Sequence, residues 1–286
     1  MQEVIGRCLG SLDDKIELNR RMNETLEAMA QAIFRDWFVD FGPVRRKLEG
    51  AGDPVAIMGG LTSDPDRAAA LAALFPDTLG DDGLPEGWPM TTLADYAQLN
   101  PESWTGPNHP NTIRYVDLSD IKWGLIGDPQ ILMWSNAPSR ARRVAREGDT
   151  LVGTVRPGNG SYAYVNDDGL TASTGFAQLR PNCENQRDFV YLAATLPENI
   201  ERLTHLADGA AYPAVNPSIV LATEVPLSPR ELTRAFSRCV GPLRARAEHA
   251  KQEKSILAET RDYLLPKLMS GQVRVRAAEA IATAVA

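Results

Sequence analysis

The sequence predicts an α+β protein in which one strand-rich domain is bracketed by two long α-helices. Three observations carry this: an apolar seam at heptad spacing over residues 5–33, a second over 236–268, and between them short apolar runs broken by turn residues. With 286 residues, 43% of them hydrophobic, the chain is long enough for one or two domains around a real core. No stretch approaches the roughly 18 apolar residues that a membrane helix needs. The first 30 residues mix charges of both signs where a signal peptide would be apolar, so a cytoplasmic protein without membrane contact is expected.

The first helix places Ile5, Leu9, Leu12, Ile16, Asn19, Asn23, Leu26, Ala30 and Ile33 at alternating spacings of four and three, with mostly charged residues elsewhere. From Gln2 to about Asp36 it would run roughly 50 Å at 1.5 Å per residue, and so narrow an apolar face requires an equally long partner. Asn19 and Asn23 fall on the seam, where a buried amide costs stability and can fix register; a solvated stretch of seam explains them equally well.

The second helix supplies Phe236, Val240, Leu243, Ala247, Ala250, Leu257, Leu264 and Leu268, interrupted by Lys254 and Arg261. Ser228-Pro229-Arg230-Glu231 has the form of a capping box with proline at the first helical position. Gly241-Pro242 predicts a kink and Gly271 a stop. The two helices also resemble each other: Ile5–Leu12 reads IGRCLGSL and Phe236–Leu243 reads FSRCVGPL, and the same offset aligns Glu17 with Glu248 and Leu26 with Leu257. Chance likeness between two amphipathic helices is the alternative; if the repeat is real, the chain carries two copies of one helical part around everything else.

Residues 41–84 are rich in Gly, Pro and Asp and read as a linker with one short Ala-rich helix around Arg67–Leu74. The domain over 85–228 reads as strands at Thr91–Leu93, Thr112–Leu118, Ile131–Trp134, Thr150–Val155, Ser161–Val165 and Gly175–Leu179, with helices at Arg187–Leu196 and Glu198–Leu206. The second long helix occupies 229–272 and a tail 273–286.

Catalytic constellations fail one by one. Cys8, Cys183 and Cys239 form no CxxC pair, and His109, His205 and His249 have no metal-ligand spacing. Asn100-Pro101-Glu102-Ser103 resembles the start of an adenine-methyltransferase motif but lacks the aromatic that would stack a flipped base. Arg156-Pro157-Gly158-Asn159-Gly160 has no following GK[ST] and reads as a hairpin turn. A non-catalytic, cofactor-free and metal-free chain is expected.

Binding has more to work with. Arg140, Arg142, Arg143 and Arg146 lie close together, with Arg156 and Asn159 at the following turn, all suited to phosphate contact or base-edge readout; a solvated charged strand edge fits them as well. The loop Gly209–Pro217 adds Tyr212 and Asn216, although plain turn chemistry also accounts for it.

The run Leu9–Glu27, continuing through Trp37-Phe38-Val39-Asp40-Phe41-Gly42-Pro43-Val44, resembles the central conserved region of type I restriction-modification specificity subunits. Leu84-Pro85-Glu86-Gly87-Trp88 is similar to that family's approach to a target-recognition domain, Glu147–Val152 to its interior, and Tyr263–Gly271 to the end of its distal conserved helix. The resemblance implies a DNA reader in which the long helices pair as an antiparallel coiled coil. It also implies that they dock modification (methyltransferase) subunits, which a restriction subunit joins. Double-stranded DNA is then the ligand, and S-adenosylmethionine, ATP and Mg belong to partner subunits. The subunit-interface residues would be Leu9, Leu12, Ile16, Asn19, Leu26, Ile33, Leu243, Leu257, Leu264 and Leu268.

The family has two target-recognition domains and this chain one, so it looks like half a subunit, pairing with a second copy through the long helices to read a split site. A coiled-coil adaptor that reads no DNA, or a truncated remnant, are the alternatives. The net charge of -7 divides unevenly: the reading domain is near -6, whereas residues 229–286 are near +5. Modification subunits are therefore expected to supply much of the grip on DNA.

Overall fold

The computed structural model describes residues 2–270 and 272–273, with side chains from Leu9 onward. It divides into two compact units, one formed by residues up to Ile33 with those from Cys239, the other by Phe34–Arg238. The long helices α1 (Gln2–Phe38) and α8 (Arg230–Met269) each contribute to both units.

In the first unit the two seams meet. Leu12, Leu257, Leu264 and Leu268 form one buried cluster, with Leu9, Ile16 and Val273 packed against it. Asp13 bonds Arg261 at 2.9 Å and Glu27 bonds Lys251 at 3.3 Å, so position advances along α1 as it retreats along α8 and the pair is antiparallel. Arg261, which breaks the apolar pattern, is thereby turned out of the seam toward Asp13. Asn19 and Asn23 are buried, and Asn23 Oδ1 has no hydrogen-bond partner. On the outer face, hydrogen bonds from Arg20 and Arg21 hold the Glu17 carboxyl down to about 2.

The seam that the sequence assigns to a subunit interface is filled within this chain. Leu9, Leu12, Ile16, Leu257, Leu264 and Leu268 are consumed within one chain, Asn19 is buried, and Leu26, Ile33 and Leu243 are half-buried. Two complementary seams tethered in one chain meet at high effective concentration, which favours internal pairing. Among the described residues the large apolar side chains left exposed on this pair are Leu18, Met29, Ile256, Tyr263, Leu265 and Met269.

The start of α8 also differs. Ser228 Oγ is buried without a partner, and the first helical amides, of Leu232 and Thr233, bond the Pro229 carbonyl. Ser228 N is held by Tyr96 Oη at 3.0 Å, which fixes this residue one position too early to cap. The helix continues through Pro242, where a kink is predicted, and through Pro266. Gly271, the tail from 274, and the Ile5, Arg7 and Cys8 side chains lie outside the described residues.

In the second unit an aromatic cluster ties the end of α1 to the domain. Phe38 packs edge-on to Phe189 (4.9 Å) and Phe236 (5.1 Å), and Trp37 edge-on to Phe75 (5.2 Å). Residues 41–84 are folded onto this cluster instead of forming an open linker. They hold three helices, α2 (Gly42–Leu48), α3 (Pro54–Ile57) and α4 (Pro65–Ala72), where the sequence predicts one. Asp53 and Asp64 cap α3 and α4, each followed by proline at the first helical position. Arg46 grips Asp36 with two bonds of 2.8 Å, and Val44, Met58 and Phe75 are buried.

The strand-rich part comprises β1 (Met90–Thr92), β2 (Ala97–Leu99), β3 (Thr112–Val116), β4 (Ile121–Lys122), β5 (Leu125–Ile126), β6 (Gln130–Met133), β7 (Ala141–Ala145), β8 (Thr150–Gly153), β9 (Tyr162–Tyr164), β10 (Leu170–Ser173) and β11 (Phe176–Pro181). The helices α5 (Arg187–Thr195), α6 (Pro197–Leu206) and α7 (Pro217–Leu221) follow, then β12 (Glu224–Pro226), which pairs with β1. Two four-stranded sheets result, ordered β6-β3-β10-β7 and β2-β11-β8-β9. Val116, Ala145, Leu151, Ala163, Leu170, Ala172 and Phe176, contributed by both sheets, form a single buried core. The β8–β9 connection is a hairpin, as predicted, but a long one whose tip is a short 3-10 turn at Pro157–Asn159. Asn100, at φ +48, accepts the Gln178 amide at 3.0 Å through Oδ1, a turn role.

Candidate nucleic-acid interface

Several loops of the second unit are stitched into one surface by backbone hydrogen bonds. Trp123 N donates to Gly160 O (2.7 Å) and Gly124 N to Tyr162 O (2.9 Å), which seats the β4–β5 turn on the β8–β9 loop. Arg156 N donates to Pro213 O (2.7 Å) and Val215 N to Thr154 O (2.9 Å), which adds the 209–216 loop. Ser161 Oγ donates to Leu118 O (3.0 Å) and Thr174 N to Arg140 O (2.8 Å), which brings in the turn after β3 and the residue ahead of β7. Leu118 fits because Gly153 and Gly175 carry no side chain: a Cβ on either would come within 2.9 Å of it.

The predicted arginines divide on this framework. Arg140 is ion-paired to Asp117 through Nε at 2.9 Å and through Nη2, and Nε also reaches Tyr115 Oη at 3.1 Å. Burial pushes the Asp117 carboxyl up, but the Leu118 amide and Arg140 together pull it below the ordinary aspartate value. Arg146 grips Glu102 at 2.7 and 3.1 Å, and Glu102 also takes Arg180. Arg143 is half-buried, donates to Ser103 Oγ at 3.3 Å and has an unpartnered Nε; burial lowers its pKa. Arg142 lays its guanidinium 4.5 Å above Trp134, which itself stacks on His109.

Arg156, Asn159 and Tyr212, by contrast, come together. Arg156 is exposed, donates through Nη2 to Ala211 O at 2.8 Å and lies 5.3 Å from the Tyr212 ring centroid; among the described residues no carboxylate neutralises it. Tyr212 is 75% exposed. The Asn159 carbonyl accepts Lys122 Nζ at 3.1 Å, which places a second cation on the same turn. Asn216 serves the fold, since its Oδ1 caps α7 and accepts from Ser218 N at 3.0 Å. Sequence reasoning misses Lys122 and Trp123. Their only signal is a Lys-Trp-Gly step between Ile121 and Leu125, and such a step is short enough to pass for a loop.

A strand-rich domain bracketed by two long helices is a fold that this chain shares with a solved protein. The S subunit of a type I restriction-modification system from M. genitalium superposes with a TM-score of 0.55 at 16% identity, covering 93% of this chain and 60% of that one. The type I restriction enzyme HindI specificity subunit of Haemophilus influenzae is 27% identical over 315 residues, covering 95% of this chain and 67% of that subunit. The MjaIX specificity subunit of Methanocaldococcus jannaschii is 21% identical, covering 96% of this chain and 59% of that subunit. The chain is therefore similar along nearly its whole length to type I specificity subunits, and spans about six-tenths to two-thirds of theirs. No family model matches it.

Proposed function

We propose that this chain reads DNA sequence as the non-catalytic specificity component of a type I restriction-modification complex. The observation that carries this reading is Arg156, an exposed guanidinium with one donor engaged and the others available for two parallel bonds to a guanine edge. Tyr212, Asn159 and Lys122 surround it, while the neighbouring Arg140 and Arg146 are spent on internal carboxylates. Similarity to specificity subunits supplies the context.

In this reading the single loop surface reads one half of a split site. Modification subunits, which would bring S-adenosylmethionine, dock on the helix pair, and a restriction subunit with ATP and Mg joins through them. A second copy supplies the other half. Because the seam is filled internally, that copy would meet the exposed apolar side chains of the pair, such as Leu18, Met29 and Ile256. The test is selection from a random duplex library by this chain mixed with its modification subunits. A split, two-fold symmetric motif is the expected outcome, and an unenriched library would leave a helical adaptor as the function. Light scattering that reports a monomer at micromolar concentration would remove the second copy from the scheme.

A further inference from the structure

We propose that Trp123 is a specificity-determining residue whose outward indole face receives the 5-methyl group of a thymine in the major groove. The inference rests on the DNA-reading function proposed above and adds to it a residue and the base feature that it senses.

The chain presents this side chain at some conformational cost. Trp123 is 56% exposed and has φ +48, in the left-handed region that a bulky residue rarely adopts. Two backbone bonds hold it there, Trp123 N to Gly160 O and Gly124 N to Tyr162 O. The indole is fixed as well. A Cβ on Gly160 would stand 2.4, 2.5 and 2.6 Å from Cδ2, Cε2 and Cε3, so one ring face lies directly on the glycine backbone. Tyr162 meets the ring edge-on at 5.9 Å and 89°.

That arrangement selects among the ways an aromatic can meet DNA. Full intercalation between base pairs needs two open faces, and here one is covered. Stacking on a base face is closed too, because bases in a duplex already stack on each other. What remains is the apolar group that a base pair offers in the major groove, the thymine methyl. The surroundings favour nucleic acid over an apolar protein partner: Lys122 precedes Trp123, and the turn that carries Gly160 also carries Arg156 and Asn159. Both cations are without a carboxylate partner among the described residues. They suit flanking phosphates or base acceptors.

The experiment uses the full chain with its modification subunits on the motif selected from the duplex library, with each thymine in turn replaced by deoxyuridine. At one position, loss of the methyl should weaken wild-type binding about fourfold, the effect of one buried methyl group. Trp123→Ala should bind both duplexes equally, and Trp123→Phe should keep part of the discrimination. Gly160→Ala, which displaces the indole, should lose it as Trp123→Ala does. A wild-type complex indifferent to every thymine methyl, or a methyl effect that survives in Trp123→Ala, overturns the proposal. A library that enriches no motif with the wild-type chain refutes the DNA-reading function itself, and this inference with it.

Discussion

Arg180 and Asp149 form a two-point salt bridge inside the strand-rich domain, Nε to Oδ1 at 2.9 Å and Nη2 to Oδ2 at 2.9 Å, with the Asp149 side chain 1% exposed. The same carboxylate accepts Gln178 Nε2 at 2.6 Å and Arg146 N at 2.8 Å. Asp149 thus ties β11 to the turn between β7 and β8. Asp149→Ala would take a charged acceptor from a half-buried guanidinium, which keeps Glu102, and from a buried amide, which keeps the Val144 carbonyl, so a loss of about 1.5–3 kcal/mol is expected. Asp149→Asn, which keeps an acceptor, should cost less. Urea unfolding midpoints check both, and an unchanged midpoint for the alanine variant would contradict the bracing role.

Glu102 should impose an acid limb on stability. The Arg146 hydrogen bond, and then Arg180, pull its carboxyl below the ordinary glutamate value against the opposing effect of burial. A carboxyl depressed in the folded state contributes fully above its unfolded pKa, and that contribution fades as pH falls through the folded value. Asp117, also depressed, acts in the same direction. Glu102→Gln should therefore flatten the fall in unfolding midpoint over this acid window while changing its shape little near neutrality. A pH titration of the urea midpoint with parallel curves for both proteins would rule the effect out.

The long helices were legible because their signal is periodic and local: a seam such as Leu12 with Leu264 and Leu268 is written every three or four residues. What the seam would meet was not legible, since spacing alone cannot say whether the partner lies in the same chain. Strand β7 is missed because Ala-Arg-Arg-Val-Ala does not alternate, and β10 because Leu-Thr-Ala-Ser is four residues long with no bulky β-branched or aromatic run to mark it. Of the site, Arg156 and Tyr212 were visible as residue types. The neutralisation of Arg140 by Asp117 and of Arg146 by Glu102 was not, because those partners lie 23 and 44 positions away.

The division among the arginines predicts distinct phenotypes. Arg156→Ala should relax the selected motif at one position, by about 1–3 kcal/mol of discrimination if the contact is bidentate. Arg142→Ala, which removes a cation stacked on Trp134, should weaken all sequences alike and lower the salt slope of binding by about one. Arg146→Ala should alter unfolding and leave the motif unchanged. Motif selection and salt titration with the three variants distinguish these outcomes, and a motif altered in Arg146→Ala would mean that this side chain leaves Glu102 to reach DNA.

The seam itself gives the last prediction. Asn23 is buried with Oδ1 unpartnered, so Asn23→Leu removes a desolvated acceptor and adds apolar contact, which should stabilise by about 1 kcal/mol or more. Leu257→Ala, at the opposite extreme, should cost about 2–5 kcal/mol through lost burial and the cavity left behind. Both effects arise inside one chain. The difference in midpoint between wild type and each variant should therefore persist unchanged over a hundredfold dilution, whereas a seam shared between copies makes that difference depend on protein concentration. A midpoint that falls on dilution, and falls further for Leu257→Ala, would show these leucines acting between chains.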